Sequence, residues 1–325
     1  MLSIVIPLYN ERESLERLHA ELGDVARGNR YEMEIIFVDD GSTDGSWQEI
    51  ERLAERDPRV QGIKFRRNFG KAAALSAGFQ ASTGDVVVTL DADLQDVPDE
   101  IPRFLHALAG GFDLVSGWKK VRHDPWHKVL PSRVFNRLVS WLTGVRLHDH
   151  NCGMKCYRRE VLAEVRLYGE LHRFVPVLAA ARGFAVGEIV IQHRPREFGR
   201  SKYGAWRMMR GFLDLLTVKF LTGFGQRPQH VLGTVGLISF ALGGLGMLYL
   251  AVYWMTAQLF PEWNLTPLHQ RPAVVYSVGA LLLGGQLMSI GFLAELITAY
   301  QQRDSDAYSI AKRTPDHADQ TIPKQ

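Results

Sequence analysis

Read for hydrophobic and polar positions, the chain falls into two regimes. Over the first two thirds, short apolar runs alternate with longer stretches of mixed polarity. Residues 2–7, 33–38, 60–65 and 86–90 have the length and composition of buried strands. The stretches between them, 11–26, 45–55 and 69–81, carry apolar residues at helical spacing. Residues 111–117 predict a further strand, and 132–142 an amphipathic helix. Strand–helix alternation of this kind predicts an α/β fold with a mostly parallel sheet, covered by helices and binding ligands at the carboxyl ends of its strands.

The last third is different. Residues 228–261 and 272–294 contain no Asp, Glu, Lys or Arg, and each stretch exceeds the roughly 20 residues that cross a hydrocarbon core. Two transmembrane helices are therefore expected, at about 230–258 and 272–297, joined as a hairpin by a short loop around 262–270. Basic residues crowd ahead of the first span and recur after the second at Arg303, Lys312 and Arg313, whereas the loop holds only Arg271. The positive-inside rule then puts both termini and the N-terminal domain in the cytoplasm. Small residues four apart, Ser239/Gly243, Ala280/Gly284 and Gly285/Ser289, permit close helix packing within the hairpin or between protomers of a homo-oligomer. Upstream, 206–220 carries Arg207, Arg210, Asp214 and Thr217 on one face and Met208, Met209, Phe212, Leu213 and Leu216 on the remainder. That pattern suits a helix lying in the membrane interface; the competing reading is a helix packed on the sheet. The expected division is a domain over 1–203, a juxtamembrane helix over 204–227, two spans over 228–300 and a disordered polar tail over 301–325.

Composition changes this picture little. In 325 residues, 38 Lys and Arg against 35 Asp and Glu leave a net charge of +3, so nothing in the balance calls for nucleic acid as a partner. The two cysteines, Cys152 and Cys156, imply no disulfide framework and fit a reducing compartment. Residues 1–7 lack the basic and long apolar regions of a secretory signal. Neither a Gly-x-Gly-x-x-Gly fingerprint nor a Gly-Lys-Ser/Thr phosphate loop is present.

The polar residues that matter cluster where the predicted strands end. Tyr9-Asn10-Glu11 follows the first, Asp39-Asp40-Gly41-Ser42 the second, Arg66-Arg67-Asn68 the third and Asp91-Ala92-Asp93-Leu94-Gln95-Asp96 the fourth. Carboxylates at i and i+2 with an amide behind them suit a hard divalent cation that keeps waters and takes substrate phosphates. Singly, each junction is also explained as a turn or helix cap, with Asn68 capping the 70–81 helix and Lys71 solvated. Four on one sheet edge are less easily explained that way.

Together, Ser3-Ile4-Val5-Ile6-Pro7-Leu8-Tyr9-Asn10-Glu11, Val38-Asp39-Asp40-Gly41-Ser42-Thr43-Asp44, Arg67-Asn68-Phe69-Gly70-Lys71 and Asp91-Ala92-Asp93-Leu94-Gln95-Asp96 resemble family 2 glycosyltransferases. These are inverting enzymes with the GT-A fold, a Rossmann-like α/β domain. The resemblance covers roughly the first 120 residues. It implies that Pro7, Tyr9, Glu11 and Asp39 hold the base and ribose of a nucleotide-sugar, with Asp40, Asn68, Lys71, Asp91 and Asp93 completing the donor side. It implies likewise that Asp91, Asp93 and Gln95 surround Mg²⁺ or Mn²⁺ on the diphosphate.

Beyond residue 118 the chain turns basic, with Lys119, Lys120, Arg122, Lys128 and Arg133 interleaved with Trp118 and Trp126. A second basic segment, His193 to Lys202, includes Arg194 and Arg196. Both read either as solvated or membrane-facing charge, or as phosphate-binding groups. Asp149-His150-Asn151-Cys152-Gly153-Met154-Lys155-Cys156-Tyr157 is similar to the acceptor-side motif of family members that act on polyprenyl phosphates. It departs from some of them in carrying Met154 where they have an acid and Cys156 where they have an arginine. Asp149 is then the nearest remaining candidate base. The expected reaction is inverting transfer of a hexose from a UDP- or GDP-sugar to a polyprenyl phosphate at the cytoplasmic membrane face. Lys119, Arg122, Arg133, Arg194, Arg196 and Lys202 would meet acceptor phosphate, and Asp93, Asp96, Asp149 and Arg133 would lie nearest the reacting centre. Transfer to a lipid hydroxyl such as diacylglycerol, which needs a true base from Asp96 or Asp149, and a non-catalytic membrane scaffold are the alternatives.

Overall fold

The computed structural model describes residues 1–120, 126–165, 171–195, 206–223 and 228–301. Two compact units divide the chain, Met1–Gly223 and Phe224–Gln325. The first is built on a seven-stranded sheet, β1 (Leu2–Leu8), β2 (Met33–Asp39), β3 (Val60–Lys64), β4 (Val86–Thr89), β5 (Leu114–Trp118), β6 (Lys155–Arg158) and β7 (Val186–Val190), in the order β3-β2-β1-β4-β6-β5-β7. Only β6 runs against its neighbours; the other pairings are parallel. The sheet is thus mostly parallel, as expected.

Both faces are covered, which is why the inner strands are apolar almost throughout rather than alternating. Ile4, Ile6 and Leu8 of β1 meet Leu15, Leu18 and Leu22 of α1 (Arg12–Asn29), together with α2 (Ser46–Arg56) and α4 (Ile101–Ala109). Val5, Ile36 and Val38 point the other way, onto α3 (Lys71–Ala81), α6 (Arg159–Glu164) and α7 (Val175–Ala181). From β1 the chain builds outward to β2 and β3, then crosses back through α3 to place β4 on the other side of β1. That reversal leaves a crevice at the carboxyl ends of β1 and β4, the usual place for a ligand in such sheets.

A third apolar cluster lies off the sheet, formed by Val139 of α5 (Trp126–Thr143), Leu171, Phe174, Val177 of α7, and Leu215 and Val218 of α8 (Trp206–Gly223). The domain expected to close at 203 therefore continues to Gly223, because α8 buries Gly211, Leu215 and Val218 at i, i+4 and i+7 against it. Phe212 and Leu213, expected on the apolar face of that helix, stay 44% and 58% exposed.

In the second unit, α9 (Pro228–Leu259) and α10 (Pro272–Gln301) pack on each other as a hairpin. Both are long and apolar enough to cross a membrane, over 228–259 and 272–297. Most of their apolar side chains are not covered by protein. The seam is made of small residues. Gly243 lies against the backbone of Leu281, Gly284 against that of Phe240, and Ser239 Oγ donates to the Ala280 carbonyl at 2.8 Å. Two of the three small-residue pairs are thus used within the hairpin. A Cβ on Gly285 would point into open space, and Ser289 donates to the Gly285 carbonyl of its own helix.

Candidate active site

The loops after β1 and β2 are sewn together by their own polar side chains. Asn10, held at φ 57°, donates its backbone N–H to Ser42 Oγ and accepts the Thr43 N–H on Oδ1, both at 2.8 Å. The Glu11 N–H reaches Ser46 Oγ at 3.1 Å. Gly41 adopts φ 75° with its Cα against the Arg67 and Asn68 backbone, so a side chain there would be both strained and obstructed. This explains the Asp-Gly-Ser sequence and ties the third junction to the second.

The two aspartates at the end of β2 do different work. Asp39 is buried, with Oδ1 accepting the Ser42 N–H at 2.8 Å and Oδ2 without a hydrogen-bond partner. A buried carboxylate oxygen left open is costly, and a donor N–H from a ligand would satisfy it. Asp40 instead accepts the N–H groups of Phe69 and Gly70, at 2.6 and 2.9 Å, at the start of α3. Burial pushes its carboxyl upward despite those bonds. Asp40, expected on the donor side, thus ties β2 to the two residues just ahead of α3, and Asn68, expected on the donor side or as a cap, lies outside that helix, whose N-cap is Gly70. Pro7 pairs with Val38 inside the sheet, and Tyr9 and Glu11 sit half-buried just past the end of β1.

Asp91 and Asp93 follow β4. Asp91 Oδ1 accepts the Lys71 ammonium, so the position already holds a cation. On its other side the backbone of Gly153 is so close that any Cβ there would overlap the Asp91 carboxylate. Asp93 is buried, with Oδ1 accepting the Gln95 N–H at 3.2 Å. Two carboxylates without a third acidic or imidazole ligand, since no cluster of three exists among the described residues, fit a cation that completes its shell with waters and phosphate oxygens. Gln95 turns its amide nitrogen toward His193 Nε2 and the Arg194 carbonyl, each at 3.4 Å, which ties this loop to the segment after β7.

Asp96 is the centre of that tie. Its side chain is 0% exposed; Lys119 Nζ lies 2.9 Å from Oδ1 and His193 Nδ1 3.8 Å away. Burial alone would raise the carboxyl, but the Lys119 ammonium and His193 outweigh it and hold the group well below the usual carboxylate range. Lys119, against its own desolvation, is correspondingly held charged by Asp96. Asp96, expected near the reacting centre, is enclosed and paired with Lys119. Arg194, expected at acceptor phosphate, pairs through Nη1 with both oxygens of Glu21 at 2.9 Å.

The acceptor-side loop is fixed from two directions. Glu188 of β7 accepts the N–H groups of His148 and Asp149, and His148 stacks on Trp118 at 3.9 Å between ring centroids. Thr89 Oγ1 donates to the Gly153 carbonyl at 2.8 Å, and Lys155 to the Cys152 carbonyl. Asp149 is buried and accepts the Asn151 N–H at 3.1 Å. Met154 and both free cysteines are buried, Met154 in the core of the sheet. Arg133 is exposed on α5. Arg122, Arg196 and Lys202 lie outside the described residues, as does the 301–325 tail beyond Gln301.

Two buried bases were not singled out by sequence. Burial lowers the Lys155 ammonium, with Lys71 adding to the effect. His150, 1% exposed and bonded through Nε2 to Ser140 Oγ at 3.1 Å, is lowered from 6.5 to about 4 by burial and by Lys155. The unfolded imidazole takes up a proton below about pH 6.5 and the folded one only below about 4. Stability is therefore expected to fall by about 3 kcal/mol across that window and to level off below it. The melting temperature of His150→Gln should be distinctly flatter between pH 6.5 and 4 than that of the unsubstituted protein; parallel curves would contradict the assignment.

A mostly parallel sheet reversing at β1, with an Asp-x-Asp pair following β4 at its carboxyl edge, has the arrangement of a GT-A glycosyltransferase. The profile of glycosyl transferase family 2 matches residues 3–166, and the chain belongs to that family. It is 36% identical over 309 residues to a dodecaprenyl-phosphate galacturonate synthase of Rhizobium johnstonii, covering 93% of this chain and 89% of the relative. It is 40% identical over 299 residues to an undecaprenyl-phosphate 4-deoxy-4-formamido-L-arabinose transferase of Pseudomonas fluorescens, covering 91% and 84%. Among solved structures, glucosyl-3-phosphoglycerate synthase of Mycobacterium tuberculosis, in complex with Mn²⁺, UDP and phosphoglyceric acid, has the same fold. Its TM-score is 0.53 at 20% identity, over 67% of this chain and 78% of the neighbour.

Proposed function

We propose that this glycosyltransferase moves a hexose, with inversion, from a UDP- or GDP-sugar to a polyprenyl phosphate at the cytoplasmic membrane face. The observation that carries the reading is the joining, in one chain, of the Asp91/Asp93 donor edge to two helices long enough to cross a membrane. The relatives named above, matched over most of their length, are both named for sugar transfer to a polyprenyl phosphate. Exposed Trp141, Val134, Phe212 and Leu213 on α5 and α8 add an apolar surface suited to a bilayer interface. The basic residues flanking the spans support the cytoplasmic orientation.

In the reaction, a phosphate oxygen of the acceptor attacks C1 of the sugar from the face opposite the leaving group. The C1–O bond to the donor's β-phosphate breaks, and the nucleoside diphosphate departs with that electron pair. A phosphate monoester is largely dianionic at neutral pH, so no strong base has to take a proton; this accords with the enclosure of Asp96 and with Met154 in the core. Asp91 and Asp93 would hold Mg²⁺ or Mn²⁺, which when bound offsets the charge growing on the diphosphate. Asp39 Oδ2 would receive the N–H of the base, while Tyr9, Glu11 and Pro7 flank the ribose. Lys119, fixed by Asp96, and Arg133, with Arg122, Arg196 and Lys202, would gather two polyanions in line, so that catalysis draws mainly on positioning.

The test is incubation of membranes containing the protein with labelled nucleotide-sugars, Mn²⁺ or Mg²⁺ and a short polyprenyl phosphate. Label in a mild-acid-labile anionic lipid is the expected result. Label only in a neutral glycolipid would transfer the assignment to a lipid hydroxyl, label from pentose donors alone would overturn the hexose, and no labelled lipid from any donor would favour a scaffold.

A further inference from the structure

Lys71 is the first residue of α3, and its ammonium is bonded to Asp91 Oδ1. The two side chains are 33% and 31% exposed, so the pair opens toward solvent at the carboxyl edge of the sheet and is not part of the core. Asp91 has little freedom to leave this position, because the Gly153 backbone closes the other side of its carboxylate. Gly153 in turn is held by Thr89 Oγ1 on β4, the strand that delivers Asp91. Lys71, by contrast, is a point charge on a flexible four-carbon stem, able to swing without moving the backbone. It also occupies an electrostatically awkward place. A cation in the first turn of a helix faces the positive end of the macrodipole, and α3 has no acidic residue in that turn to offset it. An anion arriving there would be attracted both by the ammonium and by the helix end.

We infer that Lys71 is a place-holding cation: it competes with a divalent metal for the same Asp91 oxygen, and the diphosphate of the donor releases it. The inference rests on the donor-site reading above and extends it to the order of events. Before donor binding, Lys71 neutralises Asp91 and weakens metal binding. When a nucleoside diphosphate is present, Lys71 pairs with a phosphate oxygen and both Asp91 oxygens become available. Metal and nucleotide therefore reinforce each other, and by linkage the enhancement is the same whichever binds first. The site then takes up metal more readily when a donor is in it.

Full-length protein in detergent or nanodiscs, titrated with Mn²⁺ and followed by the electron paramagnetic resonance of the free ion, tests this directly. Without nucleotide, Lys71→Met and Lys71→Gln are expected to bind Mn²⁺ roughly 5- to 10-fold more tightly than the unsubstituted protein, a span within the usual range of site–site coupling. Added UDP, or GDP in parallel, should tighten Mn²⁺ binding in the unsubstituted protein and do so much less in the two variants. Unchanged or weaker Mn²⁺ binding by both variants without nucleotide would overturn the role of Lys71. The metal assignment has its own control: if Asp93→Ala binds Mn²⁺ as well as the unsubstituted protein does, the carboxylate site itself is wrong. If Asp93→Ala loses binding while both Lys71 variants behave normally, only the place-holding role falls.

Discussion

Asp93→Ala is expected to lower sugar transfer by about 10³-fold or more while shifting the melting temperature by only a few degrees. The first figure follows from charge. Removing one of two carboxylates that would hold a divalent ion forfeits several kcal/mol of stabilisation of the departing diphosphate, at about 1.36 kcal/mol per factor of ten. The second follows from the local structure. Asp93 Oδ1 accepts a backbone hydrogen bond from Gln95, and losing such a bond costs about 1 kcal/mol, or a few degrees in a domain of this size. Label transfer to a short polyprenyl phosphate, measured beside thermal melts, separates the two effects. Transfer above a tenth of the unsubstituted rate in a folded variant would refute the placement of Asp93 on the donor.

Asp96→Ala should behave in the opposite way, failing first as a structure. The carboxylate is fully enclosed and compensates Lys119, whose side chain is 15% exposed. Removing it leaves a buried ammonium unpaired, a loss of about 3–5 kcal/mol. It also releases His193 and with it the stitch between the Asp91–Asp96 loop and the strand that leads to Arg194. Because an enclosed ion pair can often be replaced by apolar groups at little net cost, Asp96→Leu combined with Lys119→Met is expected to regain most of the lost stability. The double variant should still transfer sugar poorly if, as proposed above, the Lys119 ammonium meets acceptor phosphate. A denaturant titration showing Asp96→Ala within 1 kcal/mol of the unsubstituted protein would contradict the pairing, and full activity in the double variant would exclude Lys119 from acceptor binding.

The contrast between these two aspartates marks how far local pattern reaches. Strands β1 to β4 and helices α1 to α3 were legible because strand and helix periods are short-range properties of the chain. The Asp-x-Asp pair was legible for the same reason, as its spacing lies within one loop. Strand β6 was missed: four residues, Lys155 to Arg158, in a segment read for its acceptor motif, and running opposite to the rest. Nothing local encodes the direction of a strand relative to its neighbours. The α8 helix shows a related limit. Its two-sided pattern allowed both an interfacial and a packed helix, and the residues it buries, Leu215 and Val218, fall between the two faces drawn from hydropathy, where α5 and α7 meet it.

By itself the sequence determined the α/β class, the four polar junctions at the carboxyl ends of the strands, the family and the presence of two spans long enough for a bilayer. All of these follow from composition and spacing within segments of the chain. Only the tertiary structure decided which carboxylates are available. Asp40 bonds the Phe69 N–H ahead of α3 from 29 residues away, Asp96 is paired with Lys119 and close to His193, and Asp91 holds Lys71 from 20 residues away. Whether an ionisable side chain is a ligand, a cap or half of an enclosed pair depends on its burial and on which charge comes within a few ångströms. The fold sets both by bringing distant segments together.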